Sequence, residues 1–320
     1  MKINLAKYVS YCLLIILSSC RDEGNDIIMD SRSFIWQESS LPLATAMDVY
    51  KFKKGDDGQL YLLGWNSENT SIFAKLVGEQ WETIAEVDEF VIGDFAVFKD
   101  TVYFSTSLAV KRSKGQFVDT FITTSTHSSI ETFENKLFIG GSHLYYDGGD
   151  YSLLTYDTSY ELTPVSVEGA ALHFNIANKK LFVLTYDGFQ VYDKYGHLED
   201  VPYSIFNREL LNISEAEEIY GVEKSGDNGI VITAFLDKKV EQIGNTLPDD
   251  FASITSLQFF DTSLIFVAQK FSEDTSTAFF LTTNNTWKSI ASPFVIYDII
   301  NYGDKMLAGT KGKIMELREE

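Results

Sequence analysis

The chain has 320 residues, of which 26 are Lys or Arg and 46 are Asp or Glu, so its formal net charge is −20. Apolar residues make up 45% of the sequence, which is enough for a substantial core and excludes disorder of the whole chain. An acidic surface repels phosphate backbones, and we therefore expect no nucleic-acid partner.

The first 20 residues have the pattern of an export signal rather than of a folded element. Lys2 and Lys7 precede an apolar stretch that is too short to span a membrane as a helix, and the stretch ends in Leu17-Ser18-Ser19-Cys20. This ending resembles the lipobox of bacterial lipoproteins. The resemblance implies that residues 1–19 are a signal peptide and that Cys20 is the lipid attachment site, carrying acyl chains such as palmitate. An ordinary secretory signal with a coincidental Cys20 is the alternative.

Residues 20–32 follow as a lipidated cysteine and an acidic tether, which begins Arg21-Asp22-Glu23-Gly24-Asn25-Asp26. This segment resembles the export signal behind the lipidated cysteine of surface lipoproteins in the Bacteroidota. The resemblance implies an outer-membrane lipoprotein that is bound to the membrane through its lipid anchor and exposed on the cell surface. The periplasmic face is the alternative. Cys12 would leave with the signal, so no thiol would remain for a disulfide, a metal site or a nucleophile.

From residue 33 onwards, short β-branched and aromatic runs alternate with Gly, Asn and Asp turns. One apolar run that closes on a small residue recurs seven times, at intervals of 34 to 49 residues: Leu60–Gly64, Val102–Thr106, Leu137–Gly141, Leu181–Thr185, Ile230–Ala234, Leu264–Ala268 and Met306–Thr310. Intervals of this length in an all-β sequence are typical of propeller blades, and near-continuous apolar runs fit the second strand of a blade. We therefore predict that residues 33–320 form one seven-bladed β-propeller.

Two tryptophans mark fourth strands, at Trp81 and Trp287, and the last repeat lacks such a strand. The missing strand has a counterpart near the start of the domain, where Trp36 and Pro42 have the same spacing as Trp287 and Pro293. We therefore predict that the N-terminal segment supplies the outer strand of the last blade and closes the ring, which removes exposed strand edges. We expect the tryptophans to pack between blades.

Asp and Asn are expected in the hairpins between first and second strands, as at Asp100, Asn135 and Asn178. Gly55-Asp56-Asp57-Gly58 and Gly226-Asp227-Asn228-Gly229 occupy the same place in two other repeats. A calcium loop is the alternative for these acidic turns. No further run of ligands follows either of them, so a hairpin is favoured.

The third repeat resembles a kelch repeat, with Gly140-Gly141, then Leu154-Thr155-Tyr156-Asp157-Thr158 and Leu162 where kelch blades carry Trp. The resemblance implies a distantly kelch-like propeller. It implies no activity, because this fold carries many.

The chemistry of the sequence favours binding over catalysis. The four histidines, at 127, 143, 173 and 197, have no short metal-ligand spacing, and nucleophile elbows and phosphate-binding glycine loops are absent. We predict no catalytic residue, metal or cofactor. His173 falls in an inner-strand candidate and is expected to be a core residue. A carboxylate pair for glycoside hydrolysis remains an alternative that the many acidic residues do not allow us to locate.

Ligand-binding residues are predicted on the face that carries the loops after second and fourth strands. The segment 142–151 is expected to be a long aromatic and acidic loop, with Trp65 and Arg208 on neighbouring rims. Phe206, Leu210 and Ile213 predict a short helix within 203–215. The complete prediction is Trp65, His143, Tyr145, Tyr146, Asp147, Asp150, Tyr151 and Arg208. Packing of the tyrosines on the rim is the alternative.

Three functions are consistent with these features. The favoured one is an envelope-anchored interaction module that binds a glycan or a protein partner. The others are a propeller-fold polysaccharide hydrolase or lyase and a structural subunit of an envelope complex.

Overall fold

The computed structural model describes residues 33–320 except 116, 168, 186–187, 203–207, 225–229, 237–238, 248–250, 261–262 and 271–273. The predicted signal peptide, Cys20 and the tether lie outside the described residues. No helix in the described part of the chain has the length and hydropathy of a membrane span.

The described residues form 28 strands, which in chain order are β1 (Phe34–Glu38), β2 (Asp48–Lys54), β3 (Leu60–Trp65), β4 (Ser71–Val77), β5 (Gln80–Val87), β6 (Phe95–Phe98), β7 (Thr101–Ser105), β8 (Ala109–Lys114), β9 (Phe117–Thr124), β10 (Ser129–Phe133), β11 (Lys136–Tyr146), β12 (Gly149–Tyr156), β13 (Leu162–Pro164), β14 (His173–Ala177), β15 (Lys180–Leu184), β16 (Gly188–Asp193), β17 (Gly196–Pro202), β18 (Arg208–Ile213), β19 (Ile219–Lys224), β20 (Ile230–Leu236), β21 (Lys239–Leu247), β22 (Phe251–Phe260), β23 (Ser263–Lys270), β24 (Ser276–Leu281), β25 (Trp287–Ser292), β26 (Ile296–Tyr302), β27 (Lys305–Thr310) and β28 (Lys313–Glu319).

The strands form antiparallel sheets arranged as a β-propeller, which confirms the predicted all-β fold. Five sheets have four strands each: β2–β5, β14–β17, β18–β21, β22–β25, and β26–β28 with β1. The prediction of seven separate blades is wrong, because β6–β13 form one eight-stranded sheet. Its two halves are joined where β9 pairs with β11, through Thr124 opposite Leu144 and Thr123 opposite Tyr145.

The N-terminal strand closes the ring as the tryptophan spacing predicts. β1 pairs antiparallel with β28, with Trp36 opposite Leu317. Trp36 is buried in a cluster that includes Phe260 and Ile296, so its indole packs against the preceding blade as well as within its own. The two ends of the domain are thereby held in one sheet.

Tight turns connect first and second strands where Asp and Asn were expected. Three of these turns have two consecutive residues with positive φ: Lys99–Asp100, Glu134–Asn135 and Asn178–Lys179. This geometry is that of a type I′ turn, whose twist matches the strands that it joins.

The sheet β18–β21 corrects two predictions. The apolar run Ile230–Ala234 belongs to β20, the third strand, whereas the second strand is β19. The expected short helix is instead β18, which begins at Arg208. A search for apolar runs does not detect β19, because Gly221 interrupts it and its last residues are charged. Residues 226–229, predicted to join first and second strands, fall in the sequence after the second strand, β19, and lie outside the described residues.

Candidate binding site at the channel mouth

The first strands of the sheets surround a central channel with a volume of about 630 Å³. Its lining residues come from β2, β10, β14, β18, β22 and β26. Within the described residues, β6 contributes none of them. The residue before β6, Asp94, instead contacts charged and polar groups on β2 and β10.

Gly93 allows Asp94 to reach this position. A Cβ atom at residue 93 would collide with the carbonyl oxygen and the hydroxyl of Ser105, so the backbone passes closer to β7 than any other residue would permit. The Ser105 amide donates to the Asp94 carbonyl at 2.8 Å, which holds the turn in this position.

The Asp94 carboxylate is the centre of a buried ion-pair network. It lies 2.7 Å from Lys51 Nζ and 3.1 Å from Lys53 Nζ, and it accepts a hydrogen bond from the Ile130 amide at 2.9 Å. Burial alone would raise the pKa of Asp94, but the two lysines and the amide outweigh it and hold the pKa well below its usual range. Burial would likewise lower the pKa of Lys51, and the ion pair with Asp94 raises it instead.

Lys53 extends the network to β10. Its Nζ atom lies 3.3 Å from Glu131 Oε2 and also donates to the Ile130 carbonyl. Burial raises the pKa of Glu131, against an opposing attraction by Lys53. Lys53 therefore ties β2 to β10, the first strands that precede and follow β6 around the ring.

Asp298 performs a similar role on the other side of β2. Its carboxylate accepts hydrogen bonds from the Phe52 amide at 2.9 Å, from the Ser256 hydroxyl at 2.7 Å and from the Ile299 amide at 2.9 Å. One side chain thus connects β2, β22 and β26. Burial raises the pKa of Asp298 to about 6 because these neutral donors only partly compensate for the lost hydration.

His173 lies in β14, as the prediction of an inner strand requires, but its side chain lines the channel rather than the core. The His173 ring faces the open space of the lumen, and the walls of the channel surround that space. Burial in the lumen lowers the pKa of His173 to about 4, with Lys51 and Lys53 adding to the effect and Asp94 opposing it. The imidazole is therefore neutral at pH 7.

Aromatic rings form the mouth of the channel. Trp65 lies 4.9 Å from the ring of Tyr50, 4.6 Å from Phe90 and 6.1 Å from Tyr297, measured between centroids. Tyr50 and Tyr297 also line the lumen, and Tyr50 donates to the Ile92 carbonyl at 3.2 Å. Phe90 and Ile92 are about half exposed, at 50% and 48%. We call Tyr50, Trp65, Phe90, Ile92 and Tyr297 the aromatic mouth.

The mouth lies on the face where ligand residues were predicted. Trp65 ends a second strand, Phe90 and Ile92 follow a fourth strand, and Tyr50 and Tyr297 lie near the start of first strands. Burial raises the pKa of the Tyr297 hydroxyl, and the nearby carboxylates of Asp48 and Asp274 add to this effect. Aromatic surface at the mouth therefore lies next to acidic groups.

The segment 142–151 is a strand hairpin and not the long loop that was predicted. β11 continues to Tyr146, Asp147 and Gly148 form the turn with positive φ, and β12 begins at Gly149. An Asp-Gly pair is a strong signal for a type I′ hairpin, which could have identified this turn from the sequence.

The hairpin holds its predicted site residues together but apart from the channel. His143 Nδ1 lies 2.9 Å from Asp150 Oδ2, and the His143 and Tyr145 rings stack with centroids 6.3 Å apart. Tyr151 packs on the core of the eight-stranded sheet. A shallow, open depression is lined by Tyr145, Tyr146, Asp147, Gly148, Gly149 and Asp150.

The other two predicted site residues, Trp65 and Arg208, lie outside the hairpin. Trp65 belongs to the aromatic mouth, and Arg208 begins β18, a first strand. Sequence reasoning missed the charged groups of the channel, Lys51, Lys53 and Asp298, and Asp94, which pairs with both lysines. Lysines at alternate positions of β2 were a signal that could have been used, because residues i and i+2 share one side of a strand.

The acidic turn after β2 has a structural role. Asp57 accepts from the Tyr61 hydroxyl at 2.8 Å, and Asp56 accepts from the Asn135 amide at 2.8 Å. Among the described residues, no group of three or more His, Cys, Asp and Glu side chains is arranged to hold a metal ion.

Comparisons with known proteins show the fold. No family model matches the chain, and no curated protein is similar to it in sequence. The structure is similar to the extracellular domain of a B. thetaiotaomicron protein assigned to a hybrid two-component system, BT4673, with a TM-score of 0.55 and 13% identity over 89% of this chain. It is also similar to the corresponding domain of BT3049, with a TM-score of 0.53 and 10% identity over 89% of this chain.

The chain spans only 40% and 42% of the length of these two structures. A further similar structure is that of YCF48 bound to a D1 peptide, with a TM-score of 0.56 and 10% identity over 90% of this chain and 96% of that one. At such low identity these likenesses establish a β-propeller and no more.

Proposed function

We propose that this protein is an envelope-anchored binding module that recognises a glycan or a protein partner at the aromatic mouth of its channel. The observation that carries the proposal is the convergence of Tyr50, Trp65 and Tyr297 over a polar lumen of about 630 Å³. Concave sites with apolar walls and a few fixed polar groups are where proteins usually bind ligands.

The rigidity of the lumen supports this proposal. The networks around Asp94 and Asp298 fix β2 against β10, β22 and β26, so the walls below the mouth are held before any ligand arrives. A preorganised site loses less conformational entropy on binding. The hairpin 142–151, by contrast, is an open surface on which the predicted tyrosines are partly packed.

Binding can be tested with matched pairs of substitutions. The protein is screened against a glycan array and against solubilised envelope proteins of the organism that produces it. The double variant Tyr50→Ala, Trp65→Ala is expected to lose the ligand that wild type retains. The double variant Tyr145→Ala, Tyr146→Ala is expected to keep it. Loss of binding only in the second variant would place the site at the hairpin, as the sequence analysis predicted.

The anchor rests on the resemblance of Leu17-Ser18-Ser19-Cys20 to a lipobox. Acyl chains on Cys20 would hold the protein at the outer membrane, because several acyl chains together make a stable anchor. We expect Cys20→Ala to release the protein from the membrane fraction, and protease treatment of intact cells to digest the wild-type protein if it faces the medium. A Cys12→Ala variant, which keeps Cys20, is the matched control and should stay bound. Membrane association of Cys20→Ala equal to that of wild type would contradict the anchor.

We also propose that the eight-stranded sheet functions as two blades, which gives seven four-stranded units around the channel. Two observations support this. The halves β6–β9 and β10–β13 pack their faces together through Tyr103, Val110, Ile130 and Leu137. Their first strands, β6 and β10, also lie side by side. An experimental structure with fewer than seven units around the axis would overturn this count.

A further inference from the structure

Positive and negative groups balance each other in the channel, and this balance restricts the kind of ligand that fits. In the described part of the chain, three lysines line the channel, Lys51, Lys53 and Lys54. Lys51 pairs with Asp94, and Lys53 pairs with Asp94 and Glu131. Asp298 is held by two backbone amides and a hydroxyl. Counted by formal charge, the three lysines are matched by three carboxylates, Asp94, Glu131 and Asp298. The lumen has no surplus of one sign to select an ion.

Neutral hydrogen-bonding groups make up much of the remaining lining. Asn175, Ser253, Thr255 and Gln258 face the lumen together with His173, whose lowered pKa keeps it uncharged at neutral pH. These groups include both donors and acceptors. A ligand rich in hydroxyl groups can use both kinds, since each hydroxyl donates one hydrogen bond and accepts others.

The aromatic mouth offers a surface for the apolar C–H groups of such a ligand. The ring centroids of Tyr50, Trp65 and Tyr297 lie 4.9 to 6.5 Å from each other, and the ring of Phe90 lies 4.6 Å from that of Trp65. Aromatic faces pack well against apolar C–H surfaces while hydroxyls at the edges reach polar partners. A cationic side chain entering the lumen would meet Lys51, and an anionic one would meet Glu131 and Asp298, so a charged peptide segment fits less well.

We propose that the channel binds an uncharged, hydroxyl-rich ligand, a neutral oligosaccharide, with sugar rings packed on the aromatic mouth and hydroxyl groups bonded in the lumen. This rests on the proposed function, because it names the ligand of the same site. The volume of about 630 Å³ lies within the range of about 300–1,000 Å³ that is usual for small-molecule sites.

The test uses detergent-solubilised full-length protein and defined probes. These are neutral oligosaccharides with glucose, mannose, galactose and xylose backbones, an oligogalacturonate, an oligoglucosamine, and a random peptide library. Binding is measured by calorimetry and by the change in tryptophan fluorescence, at low and high salt. We expect at least one neutral oligosaccharide to bind, with an affinity that salt hardly changes because no charge is neutralised.

Two substitutions then locate the bound sugar. We expect Trp65→Ala and Asn175→Ala each to weaken binding about tenfold or more, as removal of a central contact does. Tyr145→Ala, on the distant hairpin, should leave the affinity unchanged. Circular dichroism and thermal unfolding confirm that each variant is folded, and Trp65→Phe, which keeps an aromatic ring, should retain most of the affinity.

The outcomes separate this inference from the proposed function. Suppose that only charged oligosaccharides bind, or only peptides, and that Trp65→Ala abolishes this binding. The mouth is then a binding site, and the neutral-sugar inference is wrong. If no probe binds, the inference is also wrong. If a probe binds with an affinity that neither Trp65→Ala nor Asn175→Ala changes, both the inference and the proposed site are wrong.

Discussion

The channel mouth and the hairpin 142–151 carry similar residues but differ in what lies beneath them. Each has tyrosines next to carboxylates, and both lie on the face that carries the connections after second strands. At the mouth, the rings of residues from β2, β3 and β26 converge over a cavity. On the hairpin, neighbouring residues of two strands share an open surface, and the closest contact, between His143 and Asp150, is local.

The difference shows that convergence of several strands, rather than composition, makes a site. The carboxylate of Asp94 is 12% exposed and joins three elements, whereas that of Asp150 is 50% exposed and pairs within its own hairpin. A buried charge that loses its partners is costly, and an exposed one is not. Substitutions in the two regions should therefore differ greatly in effect.

The largest effect is expected at Asp94. Asp94→Ala leaves Lys51 without its partner and Lys53 with Glu131 alone, and we expect the free energy of unfolding to fall by about 3–5 kcal/mol. Chemical denaturation measures the change. Asp150→Ala is the control in the hairpin and should cost at most about 1 kcal/mol. Equal losses in the two variants would contradict the comparison.

A slightly smaller loss is expected from Trp36→Ala, which weakens the closure of the ring around the channel. Removing a buried indole usually costs about 3 kcal/mol or more. The His143–Asp150 contact should survive, because it depends only on the local hairpin. Thermal unfolding gives the stability change, and the His143 ring signals in an NMR spectrum report on the hairpin. Tyr195→Ala, at a side chain that is 85% exposed, is the control and should leave the stability unchanged. Undiminished stability of Trp36→Ala would show that β1 is not needed to close the ring.

Substitutions of two glycines compare how well the backbone of each region tolerates a side chain. Gly93→Ala places a methyl group against Ser105 and should cost about 2 kcal/mol, as overpacking does. Gly148→Ala meets no atom within 4 Å, but its φ of +74° disfavours a side chain and should cost about 1 kcal/mol. Gly93→Ala should also weaken ligand binding because it displaces Asp94, and Gly148→Ala should not. Denaturation and binding measurements on both variants test this, and a binding defect confined to Gly148→Ala would contradict it.

A pH dependence is expected from His173, and its effect on stability is the smallest of these at neutral pH, where both the folded and the unfolded protein hold the imidazole mostly neutral. Because its pKa is lowered to about 4 in the folded protein, the unfolded chain binds the proton more tightly between about pH 4 and pH 6.5. The stability of wild type relative to His173→Gln should therefore fall as the pH decreases through this window. The free energy of unfolding of both proteins, measured from pH 4 to pH 7, tests the sign. His127→Gln, at an exposed histidine, serves as the control; a difference between wild type and His173→Gln that does not change with pH would contradict the prediction.

Much of the fold could be predicted because it depends on local pattern. Apolar runs identified six of the seven strands expected to be second, and Trp36 identified the strand that pairs with β28. The exception is the sheet β18–β21, where Gly221 interrupts the second strand and the third strand is the more apolar one. The eight-stranded sheet was not predicted, because the pairing of β9 with β11 involves only two residue pairs and has no sequence pattern of its own.

Less of the candidate site could be predicted. Trp65 was identified because it directly follows an apolar second strand. Asp94, directly before β6, and Asp298, on β26, each hold groups of other strands that are 36 to 246 residues away along the chain, and no spacing connects such positions.

The sequence by itself determined the all-β class, the repeating strands, the closing strand and the turns, because each follows from hydrophobic periodicity and from residues that favour positive φ. The tertiary structure alone decided where the charges meet. Lys51, Lys53, Asp94, Glu131 and Asp298 meet only when β2, β10, β26 and the residue before β6 come together around the axis, and that assembly places the aromatic mouth over a lumen of balanced charge.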